Sequence, residues 1–403
     1  MNALPLAVIG VGADGWDGLN SLVQREILGA QVLLGGARHL DLVPPVAGQE
    51  RVAWPSPLRP ALPGLLASYD GQRVVVLASG DPLVSGIGST LIDLLGADRV
   101  RIVPTVSSVS LARARMGWPA ETVEVVSLVG RDEHRVLRSL GPGHRLLVLC
   151  GGPETTRLVA ALLTEQGYGA STLTALGDLG SPGESQVRAT AATWSGSTSA
   201  LTVLAVELAV EGPGAVWGWV PGLPDEAFEH DGQLTKRDAR ASALARLAPT
   251  AGQLLWDVGA GAGSVGIEWL RTHPSLRAIA VEGDAERAER IGRNAVRLGV
   301  PGLSVVTGRA PEALAGLPAP DAVFVGGGAT IPGVLDLVAD ALRPGGRLVV
   351  HGVTLETERA LHERFTAYGG ELTRLRNETA TPLGGFTGWT PARAITQWAW
   401  RKS

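Results

Sequence analysis

The residues with the plainest chemical grammar lie between Leu254 and Leu270, LLWDVGAGAGSVGIEWL. An apolar run reaches Asp257, and Gly259, Gly261 and Gly263 follow at alternate positions. Glycines so placed let the backbone bend sharply and approach a ligand with no β-carbon in the way. The pattern predicts a helix directly after them, whose free N–H groups would face a carboxylate or phosphate. Glu282 closes the next apolar run, AIAVEGD, where a carboxylate can hold both hydroxyls of a ribose. These are the parts of a nucleoside site.

Two cofactor chemistries fit those parts. Gly261-Ala262-Gly263-Ser264-Val265-Gly266 satisfies the G-x-G-x-x-G pattern, with Glu282 about 20 residues on, as in a nicotinamide dinucleotide site. Asp257 favours the other. A carboxylate two positions before the first glycine repels a pyrophosphate but suits the ammonium and sulfonium of S-adenosylmethionine. Further pieces follow in order. Thr307-Gly308-Arg309-Ala310 ends the third apolar run, Asp321 to Gly328 (DAVFVGGG) carries the fourth, and Arg343-Pro344-Gly345-Gly346 is a plain turn before the fifth. Together these residues resemble a class I methyltransferase with a Rossmann-like sheet. The resemblance implies that Asp257, Gly259, Gly261, Gly263, Glu282 and Ala310 bind S-adenosylmethionine.

Beyond the fifth run, VVHGVTLET places His351, Glu356 and Thr357 at the carboxyl end of a strand, where such sheets bind ligands. His351 is the candidate for proton handling, with Glu356 beside it in sequence. Leu383 to Pro391, LGGFTGWTP, offers the flat faces of Phe386 and Trp389 to a planar ligand, or packs as an ordinary hairpin loop.

The elements that must position these groups fall into two halves. Glu211 to Phe228 is rich in Gly, Pro and Trp and breaks any regular period, so the expected division is 1–210, a linker over 211–222, and 223–403. In the first half, strands are expected at Leu6–Val11, Val32–Leu34, Val74–Ala78, Val100–Val103, Val123–Val126, Leu146–Leu149 and Leu201–Val206. Helical patterns at Pro82–Leu95 and Glu154–Gln166 alternate with them, which argues an α/β class with largely parallel pairing. In the second half, Leu254–Val258, Ala278–Val281, Ser304–Thr307, Ala322–Val325 and Arg347–Val350 are expected strands. A closing antiparallel hairpin is expected from Glu371–Arg376 and Ala394–Trp400.

The first half has its own loops. Gly10 and Gly12 follow the opening strand, GDPLVSGIG runs from Gly80 to Gly88, and PTVSSVSLARARMGWP from Pro104 to Pro119. These resemble the tetrapyrrole methylase family, a class III methyltransferase fold with its cofactor between two small α/β subdomains. The first loop, GVGADGWDGL, departs from the wider family's G-x-G-x-G-D-x-x-x-L-T form. VLLGGARHL (Val32 to Leu40), LCGGPETTRLVAALL (Leu149 to Leu163) and ALGDLGSPGESQVRAT (Ala175 to Thr190) are similar to its corrin-pathway branch. GLPDEAFEHDGQLTKRDAR (Gly222 to Arg240) resembles the head of that branch's usual fusion partner, in which the position of Thr235 lies near the cofactor. By resemblance, Gly10, Gly12, Gly80, Asp81, Pro82, Ser107 and Ser108 would form a second S-adenosylmethionine site, one per domain. The whole order is similar to the bifunctional enzymes that methylate carbons 5 and 15 of a precorrin and decarboxylate its ring-C acetate. By that resemblance the first domain serves carbon 5 and the second serves carbon 15 and the decarboxylation.

Composition bounds the alternatives. Apolar residues make up 45% of the chain and charged residues 18%, ordinary for a soluble globular protein, and no apolar run is long enough for a membrane helix. The first residues read as a buried strand and not as an export signal, and Cys150 is the single cysteine, so a reducing cytoplasm fits. A net charge of −4 gives no electrostatic case for nucleic acid, which weighs against a methyltransferase of RNA. A protein substrate, or a first half that only binds, are the remaining competitors. Lys236 and Lys402 are the only lysines, and arginine forks suit a carboxylate-rich substrate as well as they suit a GC-rich genome. No metal site is expected, and both resembled families imply self-association.

Overall fold

The computed structural model describes residues 5–211 and 216–403. Positions 212–215 of the expected linker and the first four residues of the first domain lie outside the described residues. The chain divides into two compact units, Met1–Glu133 with Pro142–Gly214, and His134–Gly141 with Ala215–Ser403.

In the first unit, β1 (Leu6–Val11), β2 (Val32–Gly35), β3 (Glu50–Ala53), β4 (Val74–Ser79) and β5 (Val100–Val103) form a parallel sheet in the order β3-β2-β4-β1-β5. Along β1, Ala7, Ile9 and Val11 pack to one side and Val8 to the other. Val23 and Ile27 of the helix Ser21–Leu28 cover the first face. Leu62 and Leu91, from the helices Leu58–Ala67 and Ile87–Leu95, cover the second. With both faces buried, the strand sequence is an unbroken apolar run. The helical pattern read from Pro82 begins only at Ile87, because residues 82–86 turn first, with the Gly88 N–H donating to the Pro82 carbonyl at 3.0 Å.

The second sheet of this unit corrects the expectation of largely parallel pairing. Its order is β6-β7-β10-β8-β9, from β6 (Glu124–Ser127), β7 (Arg145–Leu149), β8 (Thr172–Gly177), β9 (Ser185–Thr190) and β10 (Thr202–Glu207). Only β6 and β7 run parallel; β10 is antiparallel to β7 and β8, and β9 to β8. Residues 178–184 are too few for the crossover of a dozen or more residues that a parallel partner needs, so β9 folds straight back.

The second unit carries β11 (Leu254–Val258), β12 (Arg277–Glu282), β13 (Ser304–Thr307), β14 (Ala322–Val325), β15 (Arg347–Gly352) and β16 (Glu371–Leu375). With the last strand, β19 (Ile395–Arg401), they form a sheet in the order β13-β12-β11-β14-β15-β19-β16. The first five are parallel, and β19 runs antiparallel to β15 and β16. Between β16 and β19 the chain grows a separate ribbon, β17 (Glu378–Leu383) with β18 (Phe386–Pro391). Phe386 and Trp389 stand 84% and 72% exposed on it. Among the described residues no helix is long and apolar enough to cross a membrane.

Candidate functional sites

In the second unit β11 is buried along its whole length and enters the sheet centre between β12 and β14. Gly259, Gly261 and Gly263 then take φ of +67°, +58° and +75°, and the helix Ser264–Thr272 starts at once. A β-carbon on Gly261 would stand 2.7 Å from the Gln233 carbonyl, so the segment leading to Thr235 lies against this turn. Thr235 itself is half-buried, its carbonyl accepting from Arg240 Nη1 at 2.5 Å. Glu282 ends β12 and its carboxylate accepts from the N–H of Gly261 at 2.8 Å and of Asp284 at 3.1 Å. The Gly308 N–H donates to the Glu282 carbonyl at 2.9 Å, which brings the Arg309-Ala310 backbone to the same strand end.

Asp257 is the electrostatic centre of this site. It is 1% exposed, and its Oδ2 accepts from the Gly266 N–H at 2.8 Å. Its Oδ1 is buried without any hydrogen-bond partner. Burial pushes the carboxyl up to about 7; the Gly266 N–H opposes the rise and Glu282 adds to it. A buried, unpartnered carboxylate oxygen is a costly group unless a cation or donor completes it. The ammonium end of S-adenosylmethionine has that chemistry, and a pyrophosphate has the opposite one.

In the first unit Gly80 follows β4 with φ +46°. Its N–H donates to the Val11 carbonyl at 3.0 Å, and its carbonyl accepts from the Thr105 N–H at 3.0 Å. Gly10 is required behind it, since a β-carbon there would fall 1.7 Å from the Gly80 oxygen. Asp81 closes the next turn by accepting from the Leu83 N–H at 2.9 Å, and Ser107 caps the helix Ser108–Met116 through the Ser110 N–H at 3.1 Å. Gly12, Gly80, Asp81, Ser107 and Ser108 line one cavity of about 390 Å³. That size suits a small-molecule cofactor. Gly10 and Pro82 are not on its wall; they shape the loop that is.

The structure places His351 and Glu356 apart in character. His351 is buried in β15 with its ring edge-on to Phe324, centroids 4.9 Å apart, and Nε2 2.9 Å from the Gln397 amide of β19. The swapped amide orientation lets Gln397 donate to His351 and accept from Arg246. Burial pulls the imidazole down to about 4; the Gln397 contact opposes this and Arg246 adds to it, so the ring is neutral at pH 7. Glu356 is exposed in the first turn of the helix Leu355–Tyr368, its carboxyl held below the usual range by hydrogen bonds to its own backbone N–H and to Thr354. The His351→Leu variant is expected to lose about 1–3 kcal/mol of stability in denaturant unfolding, because the buried Gln397 amide loses its imidazole partner. Turnover per folded molecule then decides its role: turnover retained leaves His351 structural, and turnover lost from a variant of unchanged stability assigns it the proton handling.

Three residues on the wall of the first cavity were not singled out from sequence: Arg38, His39 and Asp178. They come from segments more than a hundred positions apart, so no local spacing joins them. The signal available was their position inside VLLGGARHL and ALGDLG, each just after a strand.

Comparison with known proteins bears on both units. The family described as tetrapyrrole (corrin/porphyrin) methylases matches residues 5–194, and the family described as precorrin methyltransferase domain matches residues 226–402. A Sinorhizobium protein named precorrin-6Y C(5,15)-methyltransferase [decarboxylating] is 45% identical over 398 residues, 98% of this chain and 96% of that one. A Mycobacterium tuberculosis protein of the same name is 44% identical over 98% of this chain and 99% of its own. A shorter Pyrobaculum calidifontis protein, named probable cobalt-precorrin-6B C(15)-methyltransferase (decarboxylating), is 37% identical over 44% of this chain and 96% of its own.

Proposed function

The chain belongs to the family of the precorrin-6Y C(5,15)-methyltransferases (decarboxylating), and on that premise we propose that it methylates precorrin-6Y at carbons 5 and 15 and releases the ring-C acetate carboxyl as carbon dioxide. The first domain, 1–210, serves carbon 5. After the 211–222 linker, residues 223–403 serve carbon 15 and the decarboxylation. The Pyrobaculum relative supports this division, because its name carries only the C(15) and decarboxylating activities at about half of this chain's length.

Each domain holds its own S-adenosylmethionine, which supplies an electrophilic methyl group on a sulfonium. The observation that carries the second site is the unpartnered Oδ1 of Asp257. Asp257 holds the amino-acid end, Glu282 the ribose hydroxyls, and the backbone at Ala310 faces the adenine, with Thr235 on the segment over the glycine turn. In the first domain Gly80-Asp81-Pro82 and Ser107-Ser108 cradle the second copy. An electron-rich enamine carbon needs little acid–base help, so the walls have to align the acceptor with the methyl at about 3–3.5 Å and exclude water. The exposed ribbon bearing Phe386 and Trp389 is the element free to lie over a flat macrocycle.

Calorimetric titration of S-adenosylmethionine into the whole chain is expected to show two sites, one of which weakens about a hundredfold in Asp257→Asn, while NADH gives no heat. A single site, weakened in that variant, would leave the first cavity without a cofactor and withdraw the carbon-5 assignment.

A further inference from the structure

The first cavity holds a cation that the cofactor loops do not use. Arg38 lies on the cavity wall, half-buried, in the short helix Ala37–Asp41 that follows β2. Its Nη2 donates to Ser79 Oγ at 3.1 Å and stands 3.1 Å from His39 Nε2, and Ser79 Oγ is 2.8 Å from that same nitrogen. Ser79 is the last residue of β4, directly before Gly80-Asp81. The guanidinium is thus fixed to the strand that delivers the cofactor loop, by neutral partners only. Among the described residues Arg38 takes part in no ion pair. Asp178, on the same cavity wall, supports its charge from beyond ion-pair distance, against the desolvation that burial imposes. A half-buried guanidinium whose fork is only partly used is an incomplete carboxylate site.

We propose that Arg38 anchors a carboxylate side chain of the tetrapyrrole in the first domain, with His39 and Ser79 aiming it so that carbon 5 meets the methyl donor. The inference rests on the assignment of carbon-5 methylation to this domain. The substrate's acetate groups supply the matching anion, and a bidentate grip fixes rotation of the macrocycle as well as its distance. His39 suits the positioning role: burial and then Arg38 bring its imidazole down to about 4, so it stays neutral and accepts from Arg38 without repelling it.

The test uses the full-length chain with its precorrin substrate and counts methyl groups on the product by mass spectrometry. For Arg38→Gln, KM for the tetrapyrrole in the carbon-5 step should rise about 10–100-fold, the size of a lost charge-assisted contact. The kcat at saturation should stay within about threefold, and S-adenosylmethionine should still bind at both sites. At low substrate, product carrying only the carbon-15 methyl should accumulate; Arg38→Lys should recover part of the loss. An unchanged KM, or a loss of cofactor affinity in the first domain, overturns the anchor. A third variant, Val106→Trp on the exposed cavity rim, separates the two readings. If it leaves carbon-5 methylation intact, the domain assignment itself fails and the anchor with it.

Discussion

Replacing Asp257 by alanine is expected to weaken S-adenosylmethionine at the second site by two to three orders of magnitude, about 3–4 kcal/mol, with the first site untouched. Losing one partner of a buried, hydrogen-bonded charge pair costs that much because the other charge is left uncompensated. The pH dependence gives an independent check. Burial raises the Asp257 carboxyl to about 7, far above the ordinary carboxylate value near 3.9. The folded chain therefore keeps a proton that the unfolded chain gives up, and the stability from this group falls as pH rises from about 4 to about 7. A cation at Oδ1 reverses the preference and selects the ionised form. Affinity at the second site should then climb about tenfold per pH unit below 7 and level off above it. Binding below pH 7 should release a proton, seen as a heat that depends on the buffer. In Asp257→Asn the profile should be flat. A wild-type affinity independent of pH between 5.5 and 8 would mean that the carboxylate does not face the ligand's cation.

Much of this site was legible because its parts are consecutive. The turn glycines, Asp257 and Glu282 sit on two neighbouring strands with one helix between, and each residue type has a local reason to be there. The parallel strands were legible too, since burial on both faces writes them as unbroken apolar runs. What stayed hidden was whatever depends on distant segments or weak patterning. β8, TLTALG, interleaves threonine with its apolar residues, β9, SQVRAT, is mostly polar, and β3 is a four-residue edge, so none rose above its loops. Arg38 was visible inside a quoted motif, but its lack of a carboxylate partner can be known only once the cavity is assembled. His351 shows the reverse. Its place after a strand suggested chemistry, but no local pattern gave its cross-strand register with Gln397, which hydrogen-bonds the buried ring.

The same argument explains why Arg240 escaped notice and why its loss should be severe. In RDARASALARL an arginine reads as a solvated helix face, yet Arg240 is fully buried. Its Nε donates to Glu268 at 2.6 Å, and its Nη1 to the Thr235 carbonyl at 2.5 Å and to Asp225 at 3.3 Å. Its Nη2 donates to the Leu223 carbonyl, and the guanidinium lies 4.8 Å over the Phe228 ring. Glu268 in turn accepts the N–H groups of Gly222 at 2.6 Å and Leu223 at 2.9 Å. Arg240→Ala is expected to destabilise the second unit by about 3–5 kcal/mol in urea unfolding, because the buried Glu268 carboxylate loses its hydrogen-bonded counter-ion. Arg240→Met with Glu268→Gln removes both charges and should cost less than Arg240→Ala alone. If the double variant is the worse of the two, the pair is net stabilising beyond its desolvation. The network also staples the segment from Gly222 to Thr235, whose Gln233 carbonyl lies against the glycine turn. Arg240→Ala should therefore weaken S-adenosylmethionine at the second site even at temperatures where the chain remains folded. Stability lost with cofactor affinity intact would mean that this segment holds its place over the turn without the arginine.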